Sequence, residues 1–558
     1  MDALSKITKN WFFARNQSWW LIGFSIVMSS GILAESQLIC DRLLNGDLSE
    51  MWLFWSAGLG SSFGIVFFAH LWKNVPVKTE NEFIFFRFSG KGAHYLHRFR
   101  SFYLGFIVIP LIMSFHILSL SKMISLLFTI SISTAIIVIG LCLLLFSFIN
   151  SFVNRLRFDF LYFIFFLVLF TITLIGIVNS LGGISKILFV VKTTTTQFSI
   201  VPSVGSPMFS QFLLFIFIQW WSALIIDYPD QNGQKLMASK SMTDTTKILL
   251  LPGLFQLIIR WILFVLPFIV VGFGFANVGA DGEVAFINLF QRTLPSWMII
   301  VVLFLFFLPV LSILQNDQNW GGGILIENFF KGILSNSFFV KNHGVLSVAA
   351  MFYLIIAACF IAFFTESLRD IMKYLLSITA GVGPVFMLRW YWWRVNAWTQ
   401  LSAMLAALIY PLLFDVLYIN FNPFTLMINS LTDLLGLDLY SLQLIIFTFL
   451  VVFTWLSVTF LTSPTDEERL KVFAEKIRPG GFWGIYQNRA TCFPIYRFLA
   501  WLILAINSFL MYVIFWKFVT GYYLFSAILL LIYLLLFFVA YRILLRVNAK
   551  QELSFELN

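Results

Sequence analysis

Apolar runs long enough to cross a bilayer recur along nearly the whole chain, separated by short polar stretches. At about 20 apolar residues per span, the pattern predicts helices near 19–44, 51–72, 101–121, 123–149 and 158–180. It continues with 207–227, 247–275, 293–315, 345–365 and 370–393, and then 396–417, 442–462, 496–516 and 520–545. The expected fold is therefore all-α and polytopic, with about 14 transmembrane helices. A polar gap at 186–206, containing Thr193–Thr196, separates the first five spans from the next five, and a Trp-rich boundary at 390–398 closes the second set. An odd number of spans per unit inverts the second unit in the bilayer, the repeat architecture of many transporters. The expected division is a polar start at 1–18, a first repeat at 19–180, a connection at 181–206 and a second repeat at 207–393. Four further helices follow over 394–545 with a polar loop at 463–495, and a tail at 546–558.

Two spans break the pattern. In Trp19–Leu44 the middle reads Ser29-Ser30-Gly31, and a carboxylate, Glu35, follows inside the same apolar run. Gly weakens a helix, and small hydroxyls re-satisfy backbone groups freed by a break. Close helix packing also explains such residues. Glu35 favours a functional site, because an ionisable group within a membrane is a functional candidate by default. In 294–331, Pro309 sits deep in an apolar run and predicts a kink, with Ser312 three residues on along roughly the same face. The run Gln315–Asn319 reads as the polar end of that helix. Asp159 opens the fifth span beside Arg155 and Arg157, where an interfacial ion pair is the simplest account. Trp220 and Trp221 suit an interfacial belt, and they are also candidates for lining a solute site. Arg260 should face protein and His116 should be hydrogen-bonded within the bundle.

Composition sharpens this picture. Of 558 residues 60% are hydrophobic and 11% charged, which leaves no stretch for a separate soluble catalytic domain. Four scattered cysteines and five histidines carry no metal spacing and no disulfide framework. No enzyme constellation is visible and no cofactor is expected. The net charge of +10 does not imply nucleic acid: with the first segment in the cytoplasm, most of the 36 Lys and Arg fall in cytoplasmic loops, as the positive-inside rule requires. Both termini are then cytoplasmic. The first apolar run is too long for a cleavable signal peptide.

Several stretches together resemble the sodium:solute symporter family. Phe12–Ser36, FFARNQSWWLIGFSIVMSSGILAES, is similar to its opening segment, and FFAHLWKNVPVKTENEFIFFRFSGK to its first cytoplasmic loop. LRWYWWRVNAWTQLSAM and TDEERLKVFAEKIRPGGFWGIY match patterns specific to one bacterial branch. The resemblance implies a LeuT-like core of five plus five helices and a bacterial inner-membrane location. It also implies a sodium ion between the broken first core helix and the eighth. Carried over position by position, the ion's ligands would be the carbonyls of Ser29, Ile32 and Pro309 and the hydroxyl of Ser312, with Asp159 on the fifth core helix. Ile313 stands where the family has a second hydroxyl. The stretch DYPDQNGQKLMASKS (Asp227–Ser241) replaces a glycine-rich family segment.

The expected function is secondary active transport of a small polar solute by alternating access, coupled to sodium. Its sites would lie between spans 19–44, 207–227 and 293–315, with Glu35, Ser36, Trp220 and Trp221 nearest the solute. A hard cation wants oxygen ligands, so Ile313 should weaken sodium binding or change its ligand set. The alternatives are a sodium-independent transporter, proton-linked or uncoupled, and a transporter-derived sensor that binds without pumping. Solute identity and oligomeric state are not readable from the sequence.

Overall fold

A computed structural model of the chain describes residues 12–44, 51–77, 79–147, 151–195, 201–222, 227, 230–275, 281–486 and 495–556. Regular structure among them is helical, apart from two isolated bridges, Gln17 with Ser239 and Trp392 with Phe482. The first broken span is α1 (Trp19–Met28) and α2 (Ile32–Leu44), followed by α3 (Met51–Phe67), α4 (Gly90–Phe128), α5 (Ile132–Ser147) and α6 (Phe152–Ser180). The second half holds α7 (207–222), a short helix α8 (Gln231–Met237), α9 (Met242–Gly272) and α10 (Gly282–Thr293). It continues with α11 (Ser296–Ile333), α12 (Asn336–Phe363), α13 (Leu368–Ser377) and α14 (Gly383–Tyr391). Beyond them lie α15 (Ala397–Asn420), α16 (Leu439–Leu461), α17 (Ile495–Val519) and α18 (Tyr523–Glu556). Nine helices among the described residues are long and apolar enough to cross a bilayer, and 58–67, 132–147 and 209–219 add shorter apolar ones.

The structure departs from the predicted spans in several places: 370–393 is two short helices, α13 and α14, and two further boundaries move. Helix α4 runs unbroken through the expected gap at 122 and ends at Phe128, where Thr129 takes a left-handed φ of 54°. Ser119 and Ser121 do not interrupt it. Ser119 bonds the Gln37 side chain, and Ser121 turns its hydroxyl back onto the Leu118 carbonyl. Likewise α11 does not stop at 315: Gln315–Asn319 stay helical and buried, with neighbouring helices supplying partners for Asn316 and Gln318 while the Gln315 amide has none among the described residues. Gln318, for instance, donates to the Ser147 hydroxyl at 2.6 Å.

The middle of the bundle is made by α1 crossing α6, α9 and α11, while α2 packs on α9 and α10. Lipid-facing surfaces are apolar, as on α6, where Ile164, Phe165, Val168 and Ile175 point outward. The opening helices of the two halves are both irregular at depth: α1 and α2 are separated by a break, and α7 widens into a π-helical turn at Phe215–Gln219. Such turns in membrane helices are frequent at functional sites. One end of the bundle, which carries Arg15, Lys73, Arg87, Arg389 and Arg497, is sealed by an aromatic layer. Trp72 and Phe83 pack on Trp390 at 5.0 and 4.4 Å between ring centres, and Phe473 stacks on Trp483 at 5.3 Å. Asp227, wholly buried, ties this layer together by accepting from Arg389 (2.9 Å) and the Trp390 indole (2.7 Å).

Candidate functional site

The break is built from its own hydroxyls. Ser29 donates its hydroxyl to the Ser25 carbonyl at 2.7 Å, beside the helical bond from its own amide, and Ser30 donates to the Val27 carbonyl at 2.7 Å, where the helix ends. Gly31 is needed for room: a Cβ there would lie 2.8 Å from the His116 ring, which packs straight onto the break. His116 therefore does more than fill the bundle. Helix α2 restarts with the Glu35 amide on the Gly31 carbonyl at 2.9 Å.

Below the break, α1, α6 and α11 meet on Asp159, which is fully buried. Its carboxylate accepts from the Ser25 hydroxyl, from Ser312 at 2.6 Å and from Asn316 at 3.3 Å. Asn316 also spans 2.9 Å to the Ser312 carbonyl. Arg155, one turn before Asp159 on α6, donates to the Gln315 carbonyl. The Ile32 carbonyl is occupied by the Ser36 hydroxyl at 2.8 Å, while Pro309 is buried within α11.

A cation already sits here. Lys235, on α8, reaches into the cluster and donates to the Ser29 hydroxyl at 2.9 Å and the Ser25 carbonyl at 3.3 Å. It is 1% exposed. Burial brings its pKa down to about 8, against the opposing pull of Asp159, Asp230 and Asp317, with Arg155 adding to the downward shift. Helix α8 is held by Asp230, whose carboxylate caps the amides of Asn232 and Gly233 at 3.0 and 3.3 Å.

A cavity of about 490 Å³ opens on the other side of the break. It lies between α2, α7, α13, α15 and α16, and its lining mixes Arg42, Arg369 and Lys373 with Asp370, Asp415 and Asp438. Phe215, the first residue of the π-helical turn, forms part of its wall.

The sequence-derived residues separate accordingly. Ser29, Ser312 and Asp159 come together. Glu35 and Ser36 stand one turn before Leu38, which lines the cavity, but are not themselves among its lining residues. Trp220 turns away, packing on Phe63 and Trp501 at 5.7 and 5.9 Å, and the Trp221 indole donates back to the Phe217 carbonyl. The Arg260 side chain lies outside the described residues. Sequence reasoning missed Ser25, Asn316 and Lys235. The first two were within reach, since they stand four residues from Ser29 and Ser312 on the same helix faces.

A broken membrane helix with a polar cluster beneath it and a one-sided cavity above it is the anatomy of a secondary transporter with a LeuT-like fold. Residues 12–407 match the sodium:solute symporter family, and the chain belongs to that family. Secondary active solute transport is the activity this membership carries. Among solved structures the chain is similar to a Na+-coupled sialic acid symporter in a substrate-bound, outward-open state. The TM-score is 0.58 at 15% identity, over 82% of this chain and 93% of that one, a likeness of fold. It also resembles Mhp1, a nucleobase-cation-symport-1 family transporter in a closed conformation with bromovinylhydantoin bound (TM-score 0.48, 12% identity, 83% and 97% covered). No curated protein matches the chain.

Proposed function

We propose that the chain carries a small, charged polar solute across a bacterial inner membrane by alternating access, coupled to sodium acting at the Asp159 cluster. The observation that carries this is the convergence of Ser25, Ser312 and Asn316 on one buried carboxylate beside a helix break. Buried charge in a membrane persists only with partners or a function, and oxygen donors suit a hard monovalent cation. The solute would enter the cavity of about 490 Å³, whose mixed cations and carboxylates favour a ligand bearing charge of either or both signs. The basic end, sealed by Trp72, Phe83, Trp390 and Trp483, would be cytoplasmic, so the conformation described is open toward the outside.

The test is uptake into proteoliposomes loaded with potassium and placed in sodium, against a panel of labelled amino acids, sugars and carboxylic acids. At least one solute should accumulate above its outside concentration, and a sodium ionophore should abolish the accumulation. Asp415→Asn should lower it. Equilibration without accumulation would remove the claim of active transport.

A further inference from the structure

We infer that Lys235 is a tethered cation that occupies the sodium position, so that sodium and the Lys235 ammonium exclude each other at this site. The inference rests on reading the Asp159 cluster as the cation site. Its evidence is positional. The ammonium bonds Ser29 at 2.9 Å and Ser25 at 3.3 Å, on the α1 face that also supplies the Ser25 hydroxyl to Asp159. The family resemblance assigns the Ser29 carbonyl to the ion, and Lys235 bonds the hydroxyl of that same residue. A second cation using these oxygens would sit within a few ångströms of the ammonium, and a buried site screens that repulsion poorly.

Lys235 is not a loose side chain that happens to fall inward. Its helix α8 is wedged against α1, α11 and the short helix Ala69–Asn74. The Gln234 side chain donates to the Phe12 carbonyl, and the Gln17 amide donates to the Ala238 carbonyl at 2.8 Å. Lys73 donates to the Ser239 carbonyl. Three carboxylates, Asp159, Asp230 and Asp317, attract the ammonium from three different elements. Lys235 also lies in the stretch Asp227–Ser241, where the chain abandons the family's glycine-rich sequence, and the site lacks a second hydroxyl because Ile313 stands there. A primary ammonium has three donors to satisfy, fewer contacts than a bare metal ion demands, so a site short of one oxygen suits it. For sodium to bind, Lys235 must withdraw, and α8 and its contacts with Phe12, Gln17 and Lys73 must loosen with it.

The test is thermal unfolding of the purified full chain titrated with sodium at constant ionic strength, potassium replacing it, for wild type, Lys235→Gln and Lys235→Arg. Lys235→Gln should show a saturable, sodium-specific rise in Tm at a concentration at least ten-fold lower than wild type requires, since a ligand of the native state stabilises according to [L]/Kd. Lys235→Arg, which keeps the charge, should stay as insensitive as wild type. Should a variant fail to fold, the wild type itself is read by acetylation with mass spectrometry: sodium, not potassium, should raise labelling of Lys235 several-fold. Equal sodium affinity in wild type and Lys235→Gln, or stabilisation by sodium with unchanged Lys235 labelling, overturns the exclusion and leaves sodium coupling intact. A wild type that never responds while Lys235→Gln does upholds the exclusion and removes sodium coupling from the native chain. No sodium response in any folded form overturns the cation-site reading itself.

Discussion

At Asp159 three donors from two helices converge on one carboxylate. Truncating one member of a buried charged network leaves the others uncompensated, at a cost of about 3–5 kcal/mol. Asp159→Ala should therefore lower unfolding stability by about that amount and eliminate uptake, because Ser25, Ser312 and Asn316 lose their acceptor and Lys235 loses a counter-charge. Chemical unfolding in detergent measures it, and stability equal to wild type would show the cluster to be incidental. The family resemblance named Asp159, Ser29 and Ser312, whereas residue chemistry alone read Asp159 as half of an interfacial ion pair and left Ser29 and Ser312 open to a packing role. Lys235 was not legible. It belongs to a polar loop by composition, and nothing in residue order says that a loop folds back into the bundle.

Elements were easier to foresee than their ends. Hydropathy placed most of the long spans but joined α13 and α14 into one, and Ser29-Ser30-Gly31 marked the break between α1 and α2. Hydropathy also cut α11 short, since it counts Gln315–Asn319 as water-seeking when the helix carries them into the bundle, where Asn316 and Gln318 find partners on neighbouring helices. The break itself depends on one close approach. Gly31→Ala would set its Cβ 2.8 Å from the His116 ring, and overpacking of this kind costs about 1–3 kcal/mol. His116→Ala should recover most of the loss. In a double-mutant cycle the two substitutions should couple by at least about 0.5 kcal/mol, and simple additivity of the two Tm shifts would mean that the ring does not brace the break.

Across the whole molecule, two ends contrast. One holds an open cavity with a charged lining. The other is closed by indole and phenyl rings around Asp227, Arg389 and Arg87, with the Arg87 guanidinium 4.9 Å from the Trp483 ring. Asp227→Asn should weaken that closure, since Arg389 keeps its burial and loses its counter-ion. Hydrogen–deuterium exchange should then rise in 230–239 and 389–395 while α12 stays protected. Unchanged exchange in those segments would place the closure elsewhere. The sequence showed these stretches as family-like motifs without showing that they meet, because Asp227 and Arg389 are 162 residues apart in the chain.

The rings that shut this end do not all come from the ten-helix core. Phe473 and Trp483 lie beyond residue 407, where the family match stops. Reopening this end therefore means peeling a C-terminal strap off the transporter body as well as tilting core helices. On the proposed cycle, part of the energy barrier would then be written in sequence remote from the cavity and from Asp159. Changes at Phe473 or Trp483 could make this protein faster or slower without altering what it binds.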